Sequence, residues 1–475
     1  MSLVFKVAHK EIREIIRDGR LRLLGLIVVI LSLAALAFGA HQTHRAQEAR
    51  EHSKERATQQ WEAQGEKNPH VAAHYGTHVF APTNVATAID PGVSAYLGRS
   101  IKLEAHKRNL ATHSAAQDGA DLERLGSFSV ATVLLQLVPL LIIALGYGLW
   151  SRERETGTLR QLLSTGVDRT TLFWGKSIAL GLTLAALLVP ASFVVFAVLW
   201  AMGGGNAGTL LRLGFLVFGY SIYFTIFGGL TLAASASASS SRAALVFLVG
   251  VWGFFSLVIP KVGTEFAATL QPLPSQAQLA REVTESLAKG ISGKMERDTA
   301  IEAMVADLMA AEGLADTGML VQGAQINGLE LQAEAQWEDM IYDHHMVNLD
   351  NKIQAQENLI SWAGFLSPFI AIRSLSSGLC GTDFAHHRSF TDYAEKWRKE
   401  LVTQLNKDFA TNADGEGWDY KANPELWKKI PPFQYKEPSA WFALKTHALS
   451  ALALLVWLSL SLFFAKRSAI KVKTV

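Results

Sequence analysis

Apolar residues along this chain gather into long runs separated by polar segments of very unequal length. Six runs, at 23–40, 128–150, 178–202, 212–234, 243–260 and 442–465, each hold about 18 or more mostly apolar residues, enough to cross a hydrocarbon core about 30 Å thick. In lipid such runs must be helical, because an unpaired backbone amide has no water to bond. The pattern predicts an all-α polytopic membrane protein. Its six transmembrane helices leave two large extracytoplasmic insertions, at 41–127 and 263–441.

A different period precedes the first run. Val4, Ala8, Ile12, Ile15 and Ile16 fall on one helical stripe, with Lys6, Lys10, Arg13, Arg17 and Arg20 on the rest. Residues 1–22 therefore read as an interfacial elbow helix, which suits a membrane anchor and a docking element equally. The larger insertion reads as mainly helical. Its segments are "AQLAREVTESLAKG", "RDTAIEAMVADLMAAEG" and a run from Ala324 to Ile360. The stretch "NLISWAGFLSPFIAI" is apolar for too short a length to span. It is expected along the outer membrane face or inside the outer domain.

Charge sets the orientation. Residues 1–22 carry six Lys or Arg, 151–176 carry five, the tail 466–475 carries four, and the hairpin "GGGNAG" carries none. Basic residues in short loops favour the cytoplasmic side, so both termini and the 151–177 loop are expected there, in the inner membrane. The long insertions do not report orientation by charge; 301–350 holds ten Asp or Glu and no Lys or Arg. The first run is not expected to be a cleaved signal peptide, since the patterned segment before it is far longer than an n-region.

The loop at 151–166, "SRERETGTLRQLLSTG", lies between two spans. Leu159, Leu162 and Leu163 fall at i, i+3 and i+4, giving a short helix one apolar face. Glu153 and Glu155 stand near its start, where the helix dipole favours negative charge, and Gly166 suits a left-handed cap. So short a helix is marginal alone and is expected to dock on a cytoplasmic partner.

The stretch "RERETGTLRQLLSTGVDRTTLFWGKS" resembles the first cytoplasmic loop of ABC-2 type transporter permeases, which have the type V exporter fold. The resemblance implies that Glu153, Glu155, Gly157, Thr158 and Leu159 belong to a coupling helix, which with the N-terminal helix, including Arg13 and Arg17, contacts an ABC ATPase subunit. Residues 74–112 and 366–406 are similar to the outer segments of a subfamily with a DUF3526-type domain, with Arg108 where glutamine is more usual. The resemblance implies a permease that pairs with a second copy or a related paralogue, and ATP bound by the partner subunit rather than by this chain.

Other chemistry is sparse. "TTLFWGKS" has Thr170 where a phosphate-binding loop needs glycine, and Lys176 reads as snorkelling at the interface. Neither a Ser-His-Asp set nor an H-E-x-x-H motif is present, and no enzyme activity, cofactor or nucleic-acid contact is expected of the chain. His70, His74 and His78 are spaced at i, i+4 and i+8, but Gly76 interrupts them. His344 and His345, like His386 and His387, are adjacent and diverge on a helix, so no metal site is expected. The lone Cys380 excludes an intrachain disulfide. Pro139 and Pro190 are expected to kink their spans, and Gly228 and Gly229 to permit close packing. The function expected is that of an ABC permease coupling ATP hydrolysis elsewhere to movement or extraction of a substrate, the large outer domains leaving room for a periplasmic partner. The alternative is a membrane receptor with a ligand-binding outer domain.

Overall fold

The protein is described from a computed structural model covering residues 2–114, 128–293, 295–313, 323–413 and 416–473. The rest of the first insertion (115–127) and part of the acidic segment (314–322) lie outside the described residues.

Among the described residues six helices are long and apolar enough to span: α2 (Arg20–Glu62), α4 (Val130–Glu155), α6 (Arg169–Gly204), α7 (Ala207–Ser237), α8 (Ser241–Leu270) and α16 (Ala448–Ile470). The all-α polytopic expectation holds. Helix α1 (Leu3–Arg17) precedes them and lies against α6. There, a Cβ on Gly175 would come within 3.2 Å of the Val4 carbonyl oxygen, and closer still to the Val7 side chain. Its buried face is Val7, Ala8, Glu11 and Ile15. That face is rotated from the expected stripe, leaving Ile16 exposed and Glu11 covered.

Helices α7 and α16 form the largest helix–helix interface of the bundle. Gly229 makes it possible, since a Cβ there would lie 3.0 Å from Ser461. Outward faces carry Phe193, Phe218 and Val246, each more than 60% exposed, as lipid-facing positions require. In α4 the chain forms a π-helical turn at Val133–Leu137, just before Pro139. Proline cannot donate to the carbonyl of Leu135. The Tyr223 hydroxyl donates to that oxygen at 3.0 Å, and Trp252 Nε1 donates to the Gln136 carbonyl at 3.2 Å. Neighbouring helices thus satisfy what the proline leaves open.

Both chain ends and the 151–168 loop share one end of the bundle. Ser237 and Ser468 pair their hydroxyls at 3.0 Å, and Arg169 Nε donates to the Val472 carbonyl at 3.3 Å. Both insertions lie at the other end. The first is not wholly helical. After α3 (Pro69–Tyr75) come β1 (Thr77–Phe80), β2 (Ser100–Glu104) and β3 (Lys107–Arg108), an antiparallel sheet in chain order. The second comprises α9 (Gln276–Lys289), α10 (Arg297–Ala311), α11 (Gly323–Ala363), α12 (Pro368–Cys380), α13 (Phe384–Asn412), α14 (Glu425–Lys429) and α15 (Ala440–Thr446). The boundary expected at residue 263 falls inside α8, which runs unbroken to Leu270.

The two insertions form one unit. Arg108 reaches Asp343 of α11 at 2.9 Å and Asp392 of α13 at 3.3 Å. The fully buried Arg398 holds Glu395 at 2.7 Å, Asp339, and the carbonyl of Glu104. The short apolar stretch dips into the bundle. α11 descends to Gly364, whose carbonyl accepts from Trp457 Nε1 in the middle of α16 at 3.1 Å, and the Ser367 hydroxyl donates to Phe255 of α8 at 2.7 Å. α12 then climbs back, almost wholly buried, against α7 and α16. Asp90 of the first insertion is carried in with it, accepting from the Ser376 hydroxyl at 2.5 Å beside Tyr220. Arg212 closes the plug by donating to the carbonyls of Leu379 at 3.0 Å and Pro438 at 2.5 Å.

Candidate functional site

The loop after the second span is short because it is pinned at both ends. Ser151–Glu155 continues α4 after a turn, Gly157 takes φ +75°, and α5 (Thr158–Ser164) follows until Gly166 at φ +84°. Both glycines occupy the left-handed region, where a side chain is strained. Trp150 N–H and Ser151 N–H donate to the Ser235 hydroxyl at 3.0 and 3.3 Å, fixing where the chain leaves the bundle.

The loop is organised around a buried amine. Lys176, entirely inaccessible, places Nζ 2.6 Å from Glu11 and 2.8 Å from Glu153. Lys10 closes the set, 2.5 Å from Glu153 and 3.2 Å from Glu11. Glu11 and Glu153 therefore face two ammonium groups, and Glu14 adds a third carboxylate 3.2 Å from Lys10 on the exposed side. Burial alone would lower the Lys10 ammonium, but the carboxylates of Glu11, Glu153 and Glu14 outweigh it and hold Lys10 above its ordinary value. The reading of Lys176 as snorkelling is corrected: its ammonium turns inward to partners on α1 and the loop. That engagement also leaves it unavailable to a phosphate.

Several other charges of the loop are engaged within the chain as well. Glu155 accepts from both the backbone N–H and the hydroxyl of Ser241, each at 2.7 Å, at the start of α8. Arg154 donates to the carbonyls of Ala236, at 3.0 Å, and Ala238. Arg152 and Arg20 share Asp18, held below the usual carboxylate range chiefly by its bond to Arg20.

The predicted coupling residues thus divide. Leu159 is fully buried in this chain's own core, and Leu162 and Leu163 pack partly against it. The apolar face expected to meet a partner is occupied from within. Glu153 is also turned inward, while Glu155 and Gly157 stay exposed and Thr158 is half-buried. Arg13 and Arg17 remain exposed on α1. The outward face of the loop is polar, formed by Arg160, Gln161, Ser164 and Thr165. Sequence reasoning missed Glu11, Lys10 and Ser241; a lone glutamate on the buried stripe of α1 was the available signal.

An amphipathic helix is thus braced on the first turns of α6, beside a bundle of six spans. The sequence matches the ABC-2 family transporter protein family over residues 5–466. The chain belongs to that family. As an ABC-2 protein it is a permease subunit of an ABC transporter, and the family implies an ABC ATPase subunit as its partner. No curated protein matches it. In this ABC-2 chain the match runs from α1 through α16, so the insertions lie within the matched region.

Proposed function

We propose that this chain is the permease of an exporter-like ABC complex, in which α1 and the 151–168 loop form one rigid seat for a separate ATPase subunit at the cytoplasmic face. The observation that carries this is the Lys176–Glu11–Glu153 network. It fastens α1, the loop and the foot of α6 together, so a push on the loop moves a spanning helix rather than the loop alone. The exposed Arg13, Arg17, Arg160 and Gln161 supply the docking face, and Glu155 passes the movement to α8 through Ser241. The basic charge at this end supports a cytoplasmic placement. Two such permeases, identical or related, pair in the inner membrane over two ATPase subunits, and the outer unit receives or releases the substrate. Purification of the tagged chain from its native membranes tests the reading: an ABC ATPase co-purifies with the parent and is lost from an Arg13→Glu/Arg160→Glu variant. Retention of the ATPase by that variant places the seat elsewhere.

A further inference from the structure

Three imidazoles from the first insertion meet on the outer unit. His70 and His74 stand one turn apart on α3, which Asn68 caps by accepting from the His70 N–H at 2.9 Å. His106 belongs to the tight turn between β2 and β3, and holds φ at +63°, in the left-handed region uncommon for residues other than glycine. A backbone bond from Ala105 N–H to the Ala73 carbonyl, 2.9 Å, draws that turn against α3. The result brings one ring nitrogen from each histidine within 4.8 Å of the other two. The Nε2 atoms of His70 and His74 are 3.0 Å apart, and the His74 and His106 rings stack at 4.7 Å. His78, at i+8 in the sequence, lies beyond Gly76 on β1, and the hairpin brings in His106 instead.

We propose that His70, His74 and His106 bind a divalent transition-metal ion of the zinc class, with water in the fourth position. Imidazole nitrogens suit zinc, copper and nickel, and tetrahedral bonds of about 2.0 Å set ligand nitrogens roughly 3.3 Å apart. The three nitrogens, within 4.8 Å of one another, would draw closer on binding an ion. A second observation points the same way. The Nδ1 of His106 is held by a Glu338 carboxylate oxygen at 2.6 Å, leaving Nε2 free. A carboxylate on the far nitrogen of a ligand histidine fixes its tautomer and raises its basicity. Glu338 comes from α11, so the ion would tie the first insertion to the second. His70 meets His74 through Nε2, while Asn406 stands on its other side.

The site is open to solvent at His74, which also edges a cavity lined by Trp61, Tyr75 and Lys102. His344 and His345 are engaged elsewhere: His345 bonds the Ser286 hydroxyl at 2.9 Å and His344 bonds Asn348 at 3.0 Å.

The test is titration of the chelator-treated full-length chain in detergent with zinc chloride, followed by calorimetry and by melting temperature. The parent should bind one equivalent and melt higher with zinc. His74→Ala, an exposed change that leaves the apo melting temperature in place, should lose at least tenfold in affinity and the zinc-dependent rise. Glu338→Gln should weaken binding about 10–100-fold without changing the stoichiometry. A His344→Ala/His345→Ala variant should bind like the parent. If the parent binds no zinc, or if binding survives His74→Ala unchanged, the assignment is overturned.

Discussion

Lys176 Nζ lies 2.6 Å from Glu11, on a helix whose sequence position is 165 residues away, and neither side chain touches water. Removing one member of a buried pair strands the other charge, at a cost of about 3–5 kcal/mol. Lys176→Met is therefore expected to lower the melting temperature of the purified subunit strongly. Replacing the carboxylates as well, in Lys176→Met/Glu11→Leu/Glu153→Leu, should recover most of it, since Lys10 is part-exposed and can turn to water. A single variant as stable as the parent would mean that the network contributes nothing to the seat.

Leu159 and Arg160 are neighbours with opposite expected phenotypes. Leu159→Asp places a charge in a filled core position, and truncation of a buried leucine alone costs about 2–5 kcal/mol. Its effect should appear in the melting temperature of the isolated subunit. Arg160→Glu should leave that temperature alone and reduce ATPase retention, because exposed interfacial charges act on recognition more than on folding. The same two measurements on both variants separate the roles.

The orientation is open to thiol labelling. Cys380 is buried, so the parent should react little with a membrane-impermeant reagent. Ala207→Cys and Thr165→Cys, both exposed and at opposite ends of the bundle, should label respectively before and only after permeabilisation of spheroplasts. The reverse order would turn the protein upside down.

Acid should loosen the outer unit through His387, which burial pushes down from 6.5 to about 4. It lines a cavity with Arg99, Asp383, His386 and Glu437. Below 6.5 the unfolded chain takes a proton that the folded chain refuses, so stability present above that pH is lost as pH falls towards 4. The full effect is at most about 3 kcal/mol. His387→Phe should reduce the fall in melting temperature between pH 6.5 and 4, leaving the share of other buried histidines such as His70, whereas an unchanged slope would assign the acid sensitivity to those other groups.

The spans were legible because lipid imposes one rule on every residue of a run, and that rule needs no partner. The short loop and its closing glycines were legible for a similar local reason. What escaped the sequence depends on distant encounters. Lys176 sits where a snorkelling lysine would, and only the approach of α1 shows that it turns inward. Leu159 has the same spacing whether its face meets a partner or its own bundle. The stretch around Pro368 is too short to span, and its plunge into the bundle depends on Trp457 and Phe255 meeting it there. His106 shares no period with His70, because a hairpin rather than a helix brings it close.

Helix α2 runs from the lipid-crossing segment to the tip of the outer unit in 43 residues without a proline, where Trp61 Nε1 donates to the Trp427 carbonyl at 3.1 Å. At 1.5 Å per residue such a rod is about 65 Å long, so a tilt of about 5° at its foot sweeps its far end through roughly 6 Å. Its foot begins at Arg20, only two residues being left between it and α1, and Arg20 grips Asp18 and the Ala144 carbonyl. If the loop and α1 seat an ATPase as proposed, a small rocking there would be geared into a large excursion outside the membrane, with no break in α2 to absorb it.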